Sequence, residues 1–143
     1  MRAAKYSEEF VQANHSRSKA GVLRGLHYHR HQADLWYVVR GRMQVGLADL
    51  RERRVPPATA SLVLDSDAPS VLYVPTGVAH GFLALTDIDL IYFVTRYFDA
   101  TDEFGVAWDD PTLAIHWENP RPILSERDRG NSQLRWDDIP SFS

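Results

Sequence analysis

The stretch GVLRGLHYHRHQADLWYVVRG, residues 21–41, combines β-forming side chains with a glycine at each end and three histidines at alternate positions. Its two halves predict strands over 21–31 and 35–40, joined by a short polar bend. Further runs rich in Val, Leu, Tyr and Phe follow at near-regular spacing, at 43–50, 60–65, 70–75, 79–86 and 90–98. Turn residues separate them, and no window shows a helical period beyond one possible turn at 7–11. The pattern predicts an all-β protein, an antiparallel sandwich or barrel.

The length of 143 residues predicts a single domain covering 1–143. We expect residues 1–20 to form an N-terminal arm and a first strand, and 21–99 to form the core of the barrel. Residues 100–143 are expected to contribute outer strands and a C-terminal strap. The polar tail carries Ile123, Leu124, Leu134 and Trp136, and these apolar side chains predict that the strap is ordered.

Composition excludes several classes of function. Hydrophobic residues make up 44% of the chain and charged residues 24%, which argues against disorder. A net charge of -3 gives no reason to expect a nucleic-acid partner. The chain has no cysteine, so disulfides and thiolate chemistry are excluded. No apolar run reaches the ~20 residues of a bilayer crossing, and no signal peptide is recognisable, so we expect a cytoplasmic protein without a membrane partner.

The alternate histidines predict a metal site. Side chains alternate along a strand, so His27, His29 and His31 would share one face. Neutral imidazoles and a carboxylate suit a divalent transition metal such as Fe, Mn, Ni, Co or Zn, and they leave coordination positions open for a substrate. The predicted ligands are His27, His29, Asp34 and His80. The alternative is that these histidines line a pocket, or the surface, without a metal.

The spacing from Gly21 through His27, His29 and Asp34 to Gly41 resembles the first metal-binding motif of the cupin superfamily, with Asp in place of the usual Glu. The segment PTGVAH, residues 75–80, is similar to the second motif, although Ala84 replaces its closing Asn. This resemblance implies a cupin-type antiparallel β-barrel, or double-stranded jelly roll.

Most of the chain also resembles one metal-free branch of the cupins, the dTDP-4-dehydrorhamnose 3,5-epimerases. The matching blocks are FVQANHSRS (10–18), GVLRGLHY (21–28), VVRG (38–41), VPTGVAHGFLALT (74–86), WDDPTLAIHW (108–117) and LSERD (124–128). The resemblance implies an isomerase that epimerises C3, C5 or both in a nucleotide-linked 4-keto-6-deoxy sugar, through an enolate, without an organic cofactor. It also implies a homodimer.

The same resemblance implies roles for individual residues. His27 would be the base, Asp128 would orient it, and Tyr92 would return the proton. The implied substrate-binding residues are Arg24, Gln12, Asn14, His80 and Trp108. Arg24 would contact the diphosphate. Because Arg24 and His27 differ in strand parity, both can face one pocket only if the chain bulges between them, and Gly25 makes this plausible.

Three departures from the family pattern affect the expected mechanism. His29 stands where the family has glutamine or a similar residue, and Asp34 stands where it has a lysine that places positive charge beside the enolate oxygen. Only nine residues precede Phe10, whereas family members carry a segment there that helps to hold the nucleotide. We therefore expect a metal to supply the missing positive charge, and leave the identity of the nucleotide open.

Two alternatives follow from these departures. The first is a metal-dependent cupin with another reaction, such as a keto-sugar isomerase, a dioxygenase or a lyase. His27 could not be both ligand and base through one nitrogen, so Tyr92 or His31 would then have to act as the base. The second is a sugar-binding cupin without catalytic activity.

Overall fold

The computed structural model describes residues 8–132 and 134–142 and consists mainly of short strands. The strands are β1 (Gln12–Ser18), β2 (Leu23–Tyr28), β3 (Asp34–Arg40), β4 (Arg42–Asp49), β5 (Thr59–Asp65), β6 (Val71–Val74), β7 (Val78–Ala84), β8 (Ile88–Val94) and β9 (Phe104–Gly105). One α-helix, α1 (Glu126–Asn131), and two 3-10 helices, Ala100–Asp102 and Trp136–Asp138, lie after the last long strand.

The strands form two antiparallel sheets that face each other. One sheet has the order β1-β8-β3-β6 and the other the order β5-β4-β7-β2-β9. Alternating side chains from both sheets meet between them, with Trp36, Val38 and Leu90 from the first packing against Met43 and Phe82 from the second. Burial of these side chains is the main driving force that holds the sheets together. The predicted all-β cupin architecture is therefore confirmed.

The chain after β9 covers the outer face of the five-stranded sheet. Trp117, Trp136 and Ile139 are buried there against Leu23, Leu83 and other residues of that sheet. Buried polar groups fix the tail: the carboxylate of Asp110 accepts a hydrogen bond from the Trp136 backbone N–H at 2.7 Å. Strand β7 is consequently buried along its whole length, because it has the barrel interior on one face and the tail on the other.

Some sequence-based expectations about the two ends of the chain are wrong in detail. Among the described residues, the only strand after position 100 is the two-residue β9, so the tail consists of turns and short helices rather than outer strands. Ile123 and Leu134 are exposed, whereas Trp136 is buried and Leu124 packs against the same core cluster, so two of the four expected apolar residues hold the strap. Residues 8–11 are not helical, while Ser7 lies outside the described residues. In 8–132 and 134–142, no helix has the length and apolar character needed to cross a membrane.

The expected bulge in β2 is present at Gly25. The register between β2 and β7 shifts between Arg24 and His27. Gly25 has a φ of +121°, and a Cβ atom there would lie 2.7 Å from Cα of Gly81 and 2.8 Å from the carbonyl oxygen of His80. Only glycine fits this backbone without displacing β7, and the bulge lets both Arg24 and His27 line the interior.

Substituting this glycine is expected to destabilise the protein. Gly25→Ala should lower the free energy of unfolding by about 1–3 kcal/mol, because the residue would combine an unfavourable φ with a backbone clash. The matched control is Gly130→Ala in α1, where an added Cβ has nothing within 4 Å and should be neutral or stabilising by up to about 1 kcal/mol. Urea unfolding of both variants measures the difference, and equal midpoints would contradict the role assigned to Gly25.

Candidate active site

A cavity of about 690 Å³ lies between the two sheets. Its walls carry polar side chains from both sheets and from the tail. They include Gln12, Asn14, Arg24, His27, His29, Asp34, His80, Tyr92, Glu103, Arg127 and Asp128. A concave site with this concentration of titratable groups is the expected place for binding and catalysis.

A short hydrogen bond in the cavity joins His27 of β2 to Asp128 of α1, which are 101 positions apart in the chain. Nε2 of His27 lies 2.6 Å from Oδ1 of Asp128. A carboxylate accepts, so Nε2–H donates and the lone pair of the neutral imidazole remains on Nδ1. The carboxylate thus fixes the tautomer and would stabilise the imidazolium that forms when Nδ1 accepts a proton.

Asp128 is only 1% exposed and is held by the first turn of α1. Ser125 caps this helix: its hydroxyl oxygen accepts from the backbone N–H of Asp128 at 3.1 Å, and its O–H donates to Oδ2 at 3.0 Å. Burial acts to raise the pKa of the Asp128 carboxyl, but hydrogen bonds from His27, Ser125 and the Gly25 backbone, with the charge of His27, bring it below the ordinary value. Asp128 is therefore a carboxylate at neutral pH.

Arg127 places a guanidinium beside this pair. Its Nη2 lies 3.2 Å from Nε2 and 3.5 Å from Nδ1 of His27, so it lies next to both ring nitrogens. Its Nη1 pairs with Glu103 at 2.8 Å. Arg127 thus provides positive charge next to His27, and Arg24 is a second guanidinium in the lining of the cavity. Positive charge beside His27 is therefore available from the chain itself, and a metal as the source of that charge stays a prediction.

Tyr92 of β8 lines the same cavity from the opposite sheet. Burial, followed by the negative charges of Asp34 and Glu103, raises the pKa of its phenol above the ordinary value of about 10. The hydroxyl therefore carries its proton at neutral pH. A protonated phenol facing a base across a cavity is suited to be a proton donor.

The structure brings together three of the four predicted metal ligands. One ligand atom each from His29, Asp34 and His80 lies within 4.8 Å of the others. His27 is the cross-strand neighbour of His80 but is not in this group, because its ring is bonded to Asp128. His31 does not share a face with His27 and His29 as expected, because β2 ends at Tyr28 and the chain bends.

The remaining predicted residues differ in where they lie. Arg24, Gln12 and Asn14 line the cavity as expected for substrate-binding residues. Trp108 does not: its side chain packs against the core cluster between the tail and the outer face of the five-stranded sheet. Its backbone carbonyl accepts a hydrogen bond from the indole N–H of Trp117 at 2.9 Å. Trp108 therefore has a structural position, and the structure does not place it where the predicted substrate-binding role would need it.

Sequence reasoning missed Arg127, Glu103 and Ser125. The signal for two of them is the segment SERD, residues 125–128, since a serine followed three residues later by an acidic residue is a helix start. Recognising that helix places Arg127 in its first turn, next to Asp128. Glu103 has no comparable local signal, because its position depends on the path of the tail.

The fold and this arrangement of an imidazole, a buried carboxylate and a phenol define a cupin-fold enzyme equipped for proton transfer. The family model described as dTDP-4-dehydrorhamnose 3,5-epimerase matches residues 1–135 of the chain. The chain therefore belongs to the dTDP-4-dehydrorhamnose 3,5-epimerase family, and the prediction of a nucleotide-sugar epimerase is confirmed.

Individual relatives agree with this assignment. The spore coat polysaccharide biosynthesis protein SpsL of Bacillus subtilis (strain 168) is 41% identical over 115 residues, which cover 77% of this chain and 76% of the relative. The dTDP-4-dehydrorhamnose 3,5-epimerase of Escherichia coli (strain K12) is 37% identical over 129 residues, covering 86% and 70%. A Legionella pneumophila epimerase solved in complex with dTDP-4-keto-L-rhamnose has 31% identity and a TM-score of 0.83, with coverage of 96% and 78%.

Proposed function

We propose that this enzyme inverts one or both carbons next to the ketone of a nucleotide-linked 4-keto-6-deoxy sugar. The observation that carries the proposal is that the base and the acid belong to opposite sheets. His27 projects from β2 in the five-stranded sheet, and Tyr92 projects from β8 in the four-stranded sheet. A planar enolate held between them would meet one group on each face.

The proposed reaction gains and loses no protons overall. Nδ1 of His27 removes a hydrogen that the neighbouring ketone has made acidic, and the electron pair of the C–H bond becomes part of the enolate. The phenol of Tyr92 then donates its proton to the same carbon from the opposite face. Exchange with solvent restores the neutral imidazole and the phenol. The Asp128 carboxylate favours the first step because it stabilises the imidazolium.

The enolate oxygen needs a positive or hydrogen-bonding neighbour. Arg127 and Arg24 both line the cavity, and a guanidinium fork also suits the diphosphate of a nucleotide sugar. Gln12 and Asn14 of β1 turn their side chains to the cavity and hydrogen-bond to each other at 2.8 Å. These residues support a substrate that combines a neutral sugar with an anionic nucleotide. The Legionella structure contains such a compound.

Tyr92→Phe is expected to lower the rate of formation of inverted sugar by about 10²- to 10⁴-fold, because it removes the proton donor from one face only. Incubation of a dTDP-linked 4-keto-6-deoxy sugar in D₂O, followed by NMR, distinguishes the inverted product from exchange with retention. Tyr97→Phe is the control, since Tyr97 is 70% exposed and does not line the cavity. Inversion by Tyr92→Phe at the wild-type rate would exclude the proposed acid.

We further propose that the enzyme is a homodimer. The outer face of the sheet β1-β8-β3-β6 exposes Tyr37, Val39, Val71 and Phe93 at 36%, 48%, 57% and 37%. A second copy packed on this face would bury an apolar surface that an isolated chain leaves in water. Sedimentation equilibrium measures the mass directly. The cytoplasmic location expected from the sequence stays a prediction.

A further inference from the structure

We propose that His29, Asp34 and His80 bind one divalent transition-metal ion, and that His27 is not a ligand. The role of such an ion in catalysis rests on the proposed epimerase function, whereas the binding site itself does not. The ligand set differs from the four-residue set predicted from the sequence, and the difference frees His27 to act as the base.

The hydrogen bonds of the two imidazoles support this site. Nδ1 of His29 lies 2.7 Å from the backbone oxygen of Asp102, and Nδ1 of His80 lies 3.0 Å from that of Val78. A carbonyl oxygen only accepts, so both Nδ1 atoms carry the hydrogen and both Nε2 lone pairs are left for another partner. An imidazole fixed by a backbone carbonyl in this way is typical of metal-binding histidines.

The carboxylate of Asp34 is held in the same manner. Oδ1 accepts from Nε2 of Gln32 at 2.8 Å, and Oδ2 accepts from the indole N–H of Trp36 at 3.1 Å. Each carboxylate oxygen keeps a further lone pair, since these bonds use only one on each. Nε2 of His80 lies 3.8 Å from Oδ2, which is too long for a hydrogen bond. A distance of this size is compatible with two atoms that coordinate the same metal ion.

Charge is the second argument for an ion. Asp34 is 4% exposed and His80 is 6% exposed. Within residues 8–132 and 134–142, the only basic group found within 4.0 Å of the Asp34 carboxylate is the imidazole of His80, and no lysine or arginine pairs with it. Buried carboxylates are normally paired with a cation or coordinate a metal. An ion bound here would provide that cation.

The donor set fits a divalent transition ion. Two imidazoles and one carboxylate suit Fe²⁺, Co²⁺, Ni²⁺ or Zn²⁺ and leave positions open for water or substrate. When bound, such an ion supplies a Lewis acid for an oxygen of the substrate. The ion would then be bound by side chains other than His27 and Asp128, although both sets of residues line the same cavity.

Titration of the untagged, chelator-treated protein with Co²⁺ alone tests the site. We expect one ion per chain by equilibrium dialysis, with visible d–d absorption that Zn²⁺ displaces. Asp34→Asn and His29→Gln should weaken binding by about 100-fold or more. His31→Gln, an exposed histidine of the same segment outside the site, should bind as the wild type does. Circular dichroism of each apo variant checks that it folds.

His27→Asn distinguishes this site from the four-ligand alternative. It should still bind one Co²⁺ per chain, whereas loss of the ion to the same extent as in Asp34→Asn would overturn the three-ligand assignment. Less than one-tenth of an ion per wild-type chain at saturating Co²⁺, or equal binding by Asp34→Asn, would overturn the site altogether. Because these measurements use no sugar, their failure leaves the epimerase proposal intact. Absence of epimerisation by a protein that binds Co²⁺ would overturn only the proposed function.

Discussion

Replacing His27 with asparagine is expected to lower the rate of deuterium incorporation into a dTDP-linked 4-keto-6-deoxy sugar by about 10²- to 10⁴-fold. Asparagine can keep a hydrogen bond to Asp128, but its amide has no lone pair basic enough to remove a carbon-bound proton. Both exchange and inversion should therefore be lost, unlike the loss of inversion alone expected for Tyr92→Phe. NMR of the sugar in D₂O measures both quantities in one sample.

The control for this substitution is His31→Asn. His31 is exposed and does not line the cavity, so its replacement should leave the exchange rate unchanged. It is also one of the two bases considered from the sequence for the case in which His27 binds a metal. If His31→Asn lost deuterium exchange while His27→Asn kept it, the base would therefore be His31 and not His27.

Asp128→Asn is expected to lower turnover by about 10²-fold or more with little change in substrate affinity. The asparagine amide can donate to Nε2 of His27, so the imidazole would adopt the other tautomer and lose the lone pair on Nδ1. The substitution also removes the charge that stabilises the imidazolium. Single-turnover rates and substrate binding, measured separately, test this expectation, and an equal loss in affinity would contradict it.

Stability provides a readout of the same carboxyl that does not depend on the substrate. The pKa of Asp128 is lowered in the folded protein, so its contribution to folding is present above the unfolded pKa of about 3.9 and is lost as the pH falls through the folded value. The difference in unfolding free energy between wild type and Asp128→Asn should therefore be larger at pH 7 than at pH 3. Urea unfolding at both pH values measures it, with Asp137→Asn as an exposed control.

Local patterns in the sequence predicted three strands of the barrel closely, whereas the runs at 21–31 and 90–98 extend three and four residues past the ends of β2 and β8. The runs at 35–40, 43–50 and 60–65 coincide within one residue at each end with β3, β4 and β5. These runs are recognisable because β-forming side chains lie between turn residues. The same reasoning failed for α1, since a six-residue helix is too short to show a period.

The candidate site could be predicted only in part. No periodicity relates His27 to Asp128 across 101 positions, and the pair was expected only because the LSERD block resembles the family. The alternation rule misplaced His31, because the strand ends before it. Trp108 lies in a matching block but packs in the core, which shows that a block match does not assign a role to each of its residues.

The docking of the tail has a consequence for synthesis of the protein. Asp128 and Arg127 lie in the segment between Trp117 and Trp136, whose indole rings are buried against the outside of the barrel. A nascent chain in which residues 117–136 are still inside the ribosomal exit tunnel can have the strands of the cavity but lacks the partner of the His27 imidazole. The proposed pair of His27 and Asp128 can therefore form only once this segment has left the ribosome.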